Sequence, residues 1–90
     1  MNQYTKMRII RYEIHIDDTA QRVPAGKVVL VQAHRRGLGN RLEVWIQVAE
    51  GETQTQTLRV FGTGQEIPAG WHHLGSCVAG HFVWHVYGAE

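Results

Sequence analysis

The sequence predicts an all-β fold, a small antiparallel sandwich or partly open barrel of about six strands. Three observations lead there. Apolar and polar residues alternate with a period of two through several short stretches, no apolar pattern of period 3.6 runs for as long as about ten residues, and Pro, Gly and Asn punctuate the chain between those stretches.

Residues 1–6 precede any periodic pattern and read as a flexible extension ahead of one β domain over residues 7–90. Ile10, Tyr12, Ile14 and Ile16 alternate with Arg11, Glu13 and His15, so one face of a first strand is apolar. Asp17-Asp18-Thr19 breaks the alternation, and Val23-Pro24-Ala25-Gly26 reads as a turn. KVVLVQAH (27–34), rich in β-branched residues, is the second strand. HRRGLGNR (34–41) is a loop, and RLEVWIQV (41–48) a third strand that alternates Leu42, Val44, Ile46 and Val48 against Glu43, Trp45 and Gln47. TLRVFG (57–62), WHHLGSCV (71–78) and HFVWHVY (81–87) are the remaining three, separated by GTGQE and IPAG and by Ala79-Gly80.

The second half repeats the order of the first. Setting Val23-Pro24-Ala25-Gly26 on Ile67-Pro68-Ala69-Gly70 aligns Leu30 with Leu74, and shortening the next loop by five residues lays Val44-Trp45 on Val83-Trp84. A Pro-Ala-Gly turn recurs by chance at strand entries. The shared order of the other residues points to a duplicated strand–turn–strand–loop–strand unit, hence two similar three-strand halves.

With 43% hydrophobic and 19% charged residues, the 90-residue chain has the balance of one small soluble domain. A chain this short buries only about 60–65% of its unfolded surface, which favours a homo-oligomer. Nine Lys and Arg against eight Asp and Glu supply no strongly basic face, which argues against general nucleic-acid binding. Cys77 is the sole cysteine, so no internal disulfide forms and a reducing cytoplasm fits best. No apolar stretch is long enough to span a membrane, and the N-terminus lacks a signal-peptide core.

Catalytic and metal-binding sets are not apparent. Ser76 lies in no nucleophile elbow, Asp17-Asp18 and Glu50/Glu52 sit in turns where carboxylates cap amides, and no acid–base pair stands out, so the chain is read as non-enzymatic and without cofactor. His72, His73, Cys77, His81 and His85 invite zinc. On an extended strand, however, His81 and His85 lie roughly 13 Å apart and neighbouring His72 and His73 point to opposite faces. Half-exposed strand histidines and a small buried cysteine are the simpler account, and no metal is expected.

Three features suit an anionic ligand. Arg35, Arg36 and Arg41 concentrate positive charge in one loop, and guanidinium groups match phosphate oxygens; a solvated hairpin loop is the plain alternative. Gly62, Thr63 and Gly64 place two glycines around a threonine, as loops that point amides at an anion do, although the lysine and helix of a P-loop are missing. A tight strand exit explains the same residues. Trp45, on the polar face of its strand, with Trp71 and Tyr87, offers surfaces for a base to stack on. Trp84 shares a face with Phe82 and Val86 and belongs to the interior on this reading.

Tyr12-Glu13-Ile14, Pro24-Ala25-Gly26, Val60-Phe61-Gly62-Thr63-Gly64, Ile67-Pro68, His73-Leu74-Gly75-Ser76 and Val83-Trp84-His85-Val86-Tyr87 together resemble a family of small uncharacterised bacteriophage-encoded proteins. The likeness spans about residues 9–87, with FGTG before IP and VWHV as its most specific parts. It transfers no activity or site residue. It implies a phage gene expressed in a host bacterial cytoplasm, where an accessory protein sequesters a small anionic, nucleotide-like signal of host defence or docks a host or virion protein.

Overall fold

The alternation of the sequence becomes two antiparallel sheets. A computed structural model describes residues 6–90, with strands β1 Met7–His15, β2 Gln21–Pro24, β3 Lys27–Ala33, β4 Arg41–Ala49, β5 Thr55–Gly62, β6 Trp71–Ala79 and β7 Phe82–Ala89. One sheet has the order β1-β4-β3 and the other β2-β5-β7-β6. They stack as a flat sandwich, 16 Å through its thinnest dimension, with no closed barrel. No helix occurs among the described residues, and so none long and apolar enough to cross a membrane.

Among the described residues there are seven strands where about six were expected. The addition is β2, because Val23-Pro24 is the end of a short strand as well as the start of a turn: Gln21–Pro24 pairs with Leu58–Thr55. β2 is an edge strand, where proline's missing N–H costs no ladder bond on the open side. The expected extension over residues 1–6 lies, apart from Lys6, outside the described residues; the Lys6 carbonyl accepts from Glu50 N–H at 2.8 Å.

The two similar halves are visible in the pairing. In each half the first and second strands flank the third: β1 and β3 on β4, β5 and β6 on β7. Val28 faces Ile46 and Val31 faces Val44 across a bulge, while His72 faces Gly88 and Gly75 faces Val86 across a bulge at the corresponding place. With the two Pro-Ala-Gly turns superposed, this register matches Val44 with Val86 and Trp45 with Tyr87. The expected match of Val44-Trp45 with Val83-Trp84 is therefore corrected, because the second half continues its ladder past the equivalent of Ala33–Leu42 with two more pairs, Val78–Val83 and Ala79–Phe82, before it turns.

Period two sends Leu42, Val44, Ile46 and Val48 of β4 inward, against Leu58, Val60 and Val86 of the other sheet, with Ile14, Val23 and Val31 completing the buried cluster. Glycine sets the closest approach of the sheets at one edge. A Cβ on Gly75 would lie 2.8 Å from Val31 Cγ2, so β6 can lie on β3 only because that side chain is absent. Gly75→Ala is expected to lower unfolding stability in urea by about 1–3 kcal/mol, the usual cost of overpacking. The loss should shrink in a Val31→Ala background; equal losses in both backgrounds would refute the contact.

Candidate functional site

Glu43 lies on the outward face of β4, in register with Glu13 of β1 and Gln32 of β3. An outward position is normally wet, yet Glu43 is completely buried. A shielded carboxylate needs partners. Gln32 Nε2 donates to Oε1 at 2.9 Å, Arg11 Nη1 donates to Oε2 at 2.8 Å, and Arg35 Nε lies 3.6 Å from Oε2. The Gln32 hydrogen bond outweighs the effect of burial and, with the nearby charge of Arg11, holds the Glu43 carboxyl below its ordinary range.

Glu13 extends the cluster outward. Arg41 Nη1 donates to its Oε1 at 2.9 Å, and Arg11 Nη1 sits 3.4 Å from Oε2. The Arg41 hydrogen bond, followed by the contact with His34, brings the Glu13 carboxyl down to about 2. His34 is buried, with Nδ1 accepting from Arg36 N–H at 3.1 Å. The neutral ring then carries its proton on Nε2, which faces Glu13 Oε2 at 3.3 Å in a poorly aligned contact.

The result is an anchored basic loop. Gly37, at φ 72°, makes the left-handed turn that a side chain would oppose, and its N–H donates to His34 O at 2.9 Å. Glu13, His34, Arg35, Arg36, Leu38 and Arg41 line a cavity of about 310 Å³. Three guanidinium groups against the Glu13 carboxylate leave it positive, and Arg36, exposed, has no ion pair among the described residues.

A second cavity, of about 320 Å³, adjoins it between the β3–β4 loop and the β6–β7 turn, walled by Ala33, His34, Leu38, Ala79, Phe82 and Trp84. His34 and Leu38 belong to both cavities. A third, of about 390 Å³, continues past Phe82 and Trp84 to Gly62 and Thr63. The three form a band across one end of the sandwich, basic at one side and aromatic in the middle.

A family profile described as Domain of unknown function (DUF7352) matches residues 5–90. The chain belongs to that family. No curated protein and no solved structure is significantly similar to it.

In this DUF7352 domain, Arg35, Arg36 and Arg41 converge on one cavity, and Gly62 and Thr63 reach the same end of the fold. Gly62 gives Trp84 room, since a Cβ there would lie 3.2 Å from the indole. Its amide, however, donates to Gln65 Oε1 at 3.0 Å, while Gln65 N–H donates to Gly62 O at 3.1 Å, and Gly64 turns the chain at φ 89°. Those contacts are those of a tight strand exit.

The three aromatic candidates lie elsewhere. Trp45 is half-buried on the outer face of the three-stranded sheet, its Nε1 shielded and without a partner. Trp71 and Tyr87 flank buried Phe61 on the opposite outer face, edge to face at 6.0 and 5.3 Å, with the Arg59 guanidinium 4.6 Å from the Phe61 ring centre. The rings at the cavities are Phe82 and Trp84 instead. Phe82 opens β7 directly after the turn, so it projects at the rim and is 62% exposed, while Trp84 packs one face on the core. That placement after Gly80 was the available signal.

Glu13, His34 and Glu43 also bring one potential metal-ligating atom each within 4.8 Å of one another. Arg11, Arg35 and Arg41 occupy those carboxylates, and a cation would have to displace them, so the set acts as a charge network. Because the carboxyl of Glu13 is held low when folded, its stabilisation is complete above the ordinary carboxylate range and disappears as pH falls toward about 2. The melting temperature of the wild type is expected to drop more steeply between about pH 5 and about pH 2 than that of Glu13→Gln. Identical slopes would show that the pairing contributes nothing.

Proposed function

We propose that the end of the sandwich binds a small anionic ligand carrying a planar ring, most simply a nucleotide, without turning it over. One observation supports this above others: the arginine-lined cavity and the cavity walled by Phe82 and Trp84 share His34 and Leu38. Phosphate oxygens would meet Arg36 and its neighbours while the base lies against the aromatic wall. Three neighbouring cavities of about 310, 320 and 390 Å³ are in the size range of small-molecule sites. The likeness to small phage proteins gives the reading its setting, sequestration of a host-defence signal in a bacterial cytoplasm. Sequestration asks for tight binding and slow release, and no general acid–base pair.

A second reading, docking to a host or virion protein or to a second copy of the chain, has its own support. Met7, Ile9 and Leu30 are 56%, 56% and 48% exposed on the strands either side of β4, on the face that carries Trp45.

A thermal-shift panel of linear and cyclic nucleotides, followed by titration of tryptophan fluorescence, tests the first reading. Phe82→Ala and Arg36→Ala are each expected to weaken binding roughly 5- to 150-fold, the equivalent of about 1–3 kcal/mol per lost stacking or charged contact, and Trp71→Ala to leave it intact. Silence across the panel, with an interaction sensitive to Ile9→Asp and Leu30→Asp, would favour docking.

A further inference from the structure

We propose that His73 and His85 form a binding site for a borderline divalent transition-metal cation, Zn²⁺, Ni²⁺ or Cu²⁺, on the outer face of the four-stranded sheet. It is independent of the nucleotide reading.

Strand geometry brings the two together. Residues three apart on a regular strand point to opposite faces, but the bulge between His73 and Gly75 inserts one residue, so His73 and Ser76 share the outer face of β6. His85 of β7 lies directly opposite Ser76. The Ser76 hydroxyl oxygen is then 2.8 Å from His73 Nε2 and 2.6 Å from His85 Nδ1, so two imidazole nitrogens aim at one point. Tyr87 packs edge-on to the His73 ring at 5.3 Å and limits its rotation.

The protons can be followed along the chain of contacts. The Val83 carbonyl only accepts, so Thr63 Oγ1 donates to it, at 3.3 Å, and must accept from His85 Nε2–H at 3.0 Å. This leaves His85 Nδ1 with a lone pair, to which Ser76 donates, and His73 Nε2–H donates to the serine oxygen. A metal-binding histidine commonly has its distal N–H held by an acceptor in this way, which fixes the tautomer and aims the lone pair. His85 therefore needs no change to ligate a cation. Ser76 rotates off the lone pair, and His73, an exposed residue, moves its proton from Nε2 to Nδ1, with no net proton released. Two imidazoles with water in the remaining positions suit Zn²⁺, Ni²⁺ and Cu²⁺, whereas Mg²⁺ and Ca²⁺ want oxygen.

The test uses tag-free, chelator-treated protein in thermal-shift and calorimetric titrations with ZnCl₂ and NiCl₂, and MgCl₂ as control. One equivalent of Zn²⁺ or Ni²⁺ is expected to bind and raise the melting temperature. His73→Gln and His85→Gln should abolish the response, Thr63→Val should weaken it about 10- to 100-fold, and Ser76→Ala, His72→Gln and His81→Gln should retain it. In the wild type the imidazole resonances of His73 and His85, and not those of His34, should move on addition of Zn²⁺, a readout that does not depend on the variants folding. No response to Zn²⁺ and Ni²⁺, an equal response to Mg²⁺, a response that survives the double substitution of His73 and His85, or resonance shifts confined to other histidines would overturn the proposal.

Discussion

Burial of an ionised Glu43 is the constraint on which the basic end of the molecule depends. A carboxylate with no exposure is untenable alone, and its partners come from three different places: Arg11 on β1, Gln32 on β3 and Arg35 in the loop after β3. Satisfying it fixes how the outer strands sit on β4. It also draws Arg35 inward. Buried ion pairs are weak contributors to net stability, but they discriminate strongly between arrangements, because a shifted register would strand the charge. The basic loop is thus held by the same network that aligns the sheet, and Arg36, next along the chain, is left facing outward.

The like order of the two halves explains why there is a cleft for that loop to border. Each half ends its second strand at the same end of the sandwich, so the β3–β4 loop and the β6–β7 turn meet there. The halves differ where they meet. The first carries a long loop with Arg35, Arg36 and Arg41, and the second a short turn at Gly80, in the left-handed region at φ 64°, that presents Phe82. One charged wall and one aromatic wall follow from this difference between the two halves.

The strands were legible because period two is a property of the chain itself: β4 read as Leu42, Val44, Ile46 and Val48 inward, and those residues form the core. What was illegible depends on partners far away in sequence. β2 was hidden since its pairing with β5 makes a strand of residues that locally spell a turn. Glu43 looked like a wet position, for alternation reports which face a residue is on and says nothing of what Arg11, Gln32 and Arg35 lay over it. Arg35, Arg36 and Arg41 line one cavity as their adjacency in sequence suggested, whereas Trp45, Trp71 and Tyr87 lie away from it. Trp45 caps its own sheet, and Trp71 and Tyr87 shelter Phe61, a ring on an outer face that is completely buried. The nearness of His73 to His85 depends on a bulge, which period-two reasoning cannot anticipate.

Trp84 is where the stability of the sandwich and occupancy of its open end are joined. Its indole packs against the core and against Gly62, and it also borders two of the cavities. A ring stacked on its open side would bury apolar surface that is otherwise wet, and would restrain the β6–β7 hairpin whose tip, from Val78 to Phe82, is the most exposed apolar part of the second sheet. Arg36, by contrast, belongs neither to the buried cluster nor to the ion pairs of Glu43, and Phe82 meets the interior only through Trp84, its ring centre 5.8 Å away. If the open end binds a ligand as proposed, selectivity can change through these two positions while Trp84, Gly62 and Glu43 keep the frame, which suits a 90-residue chain with little surface to bury.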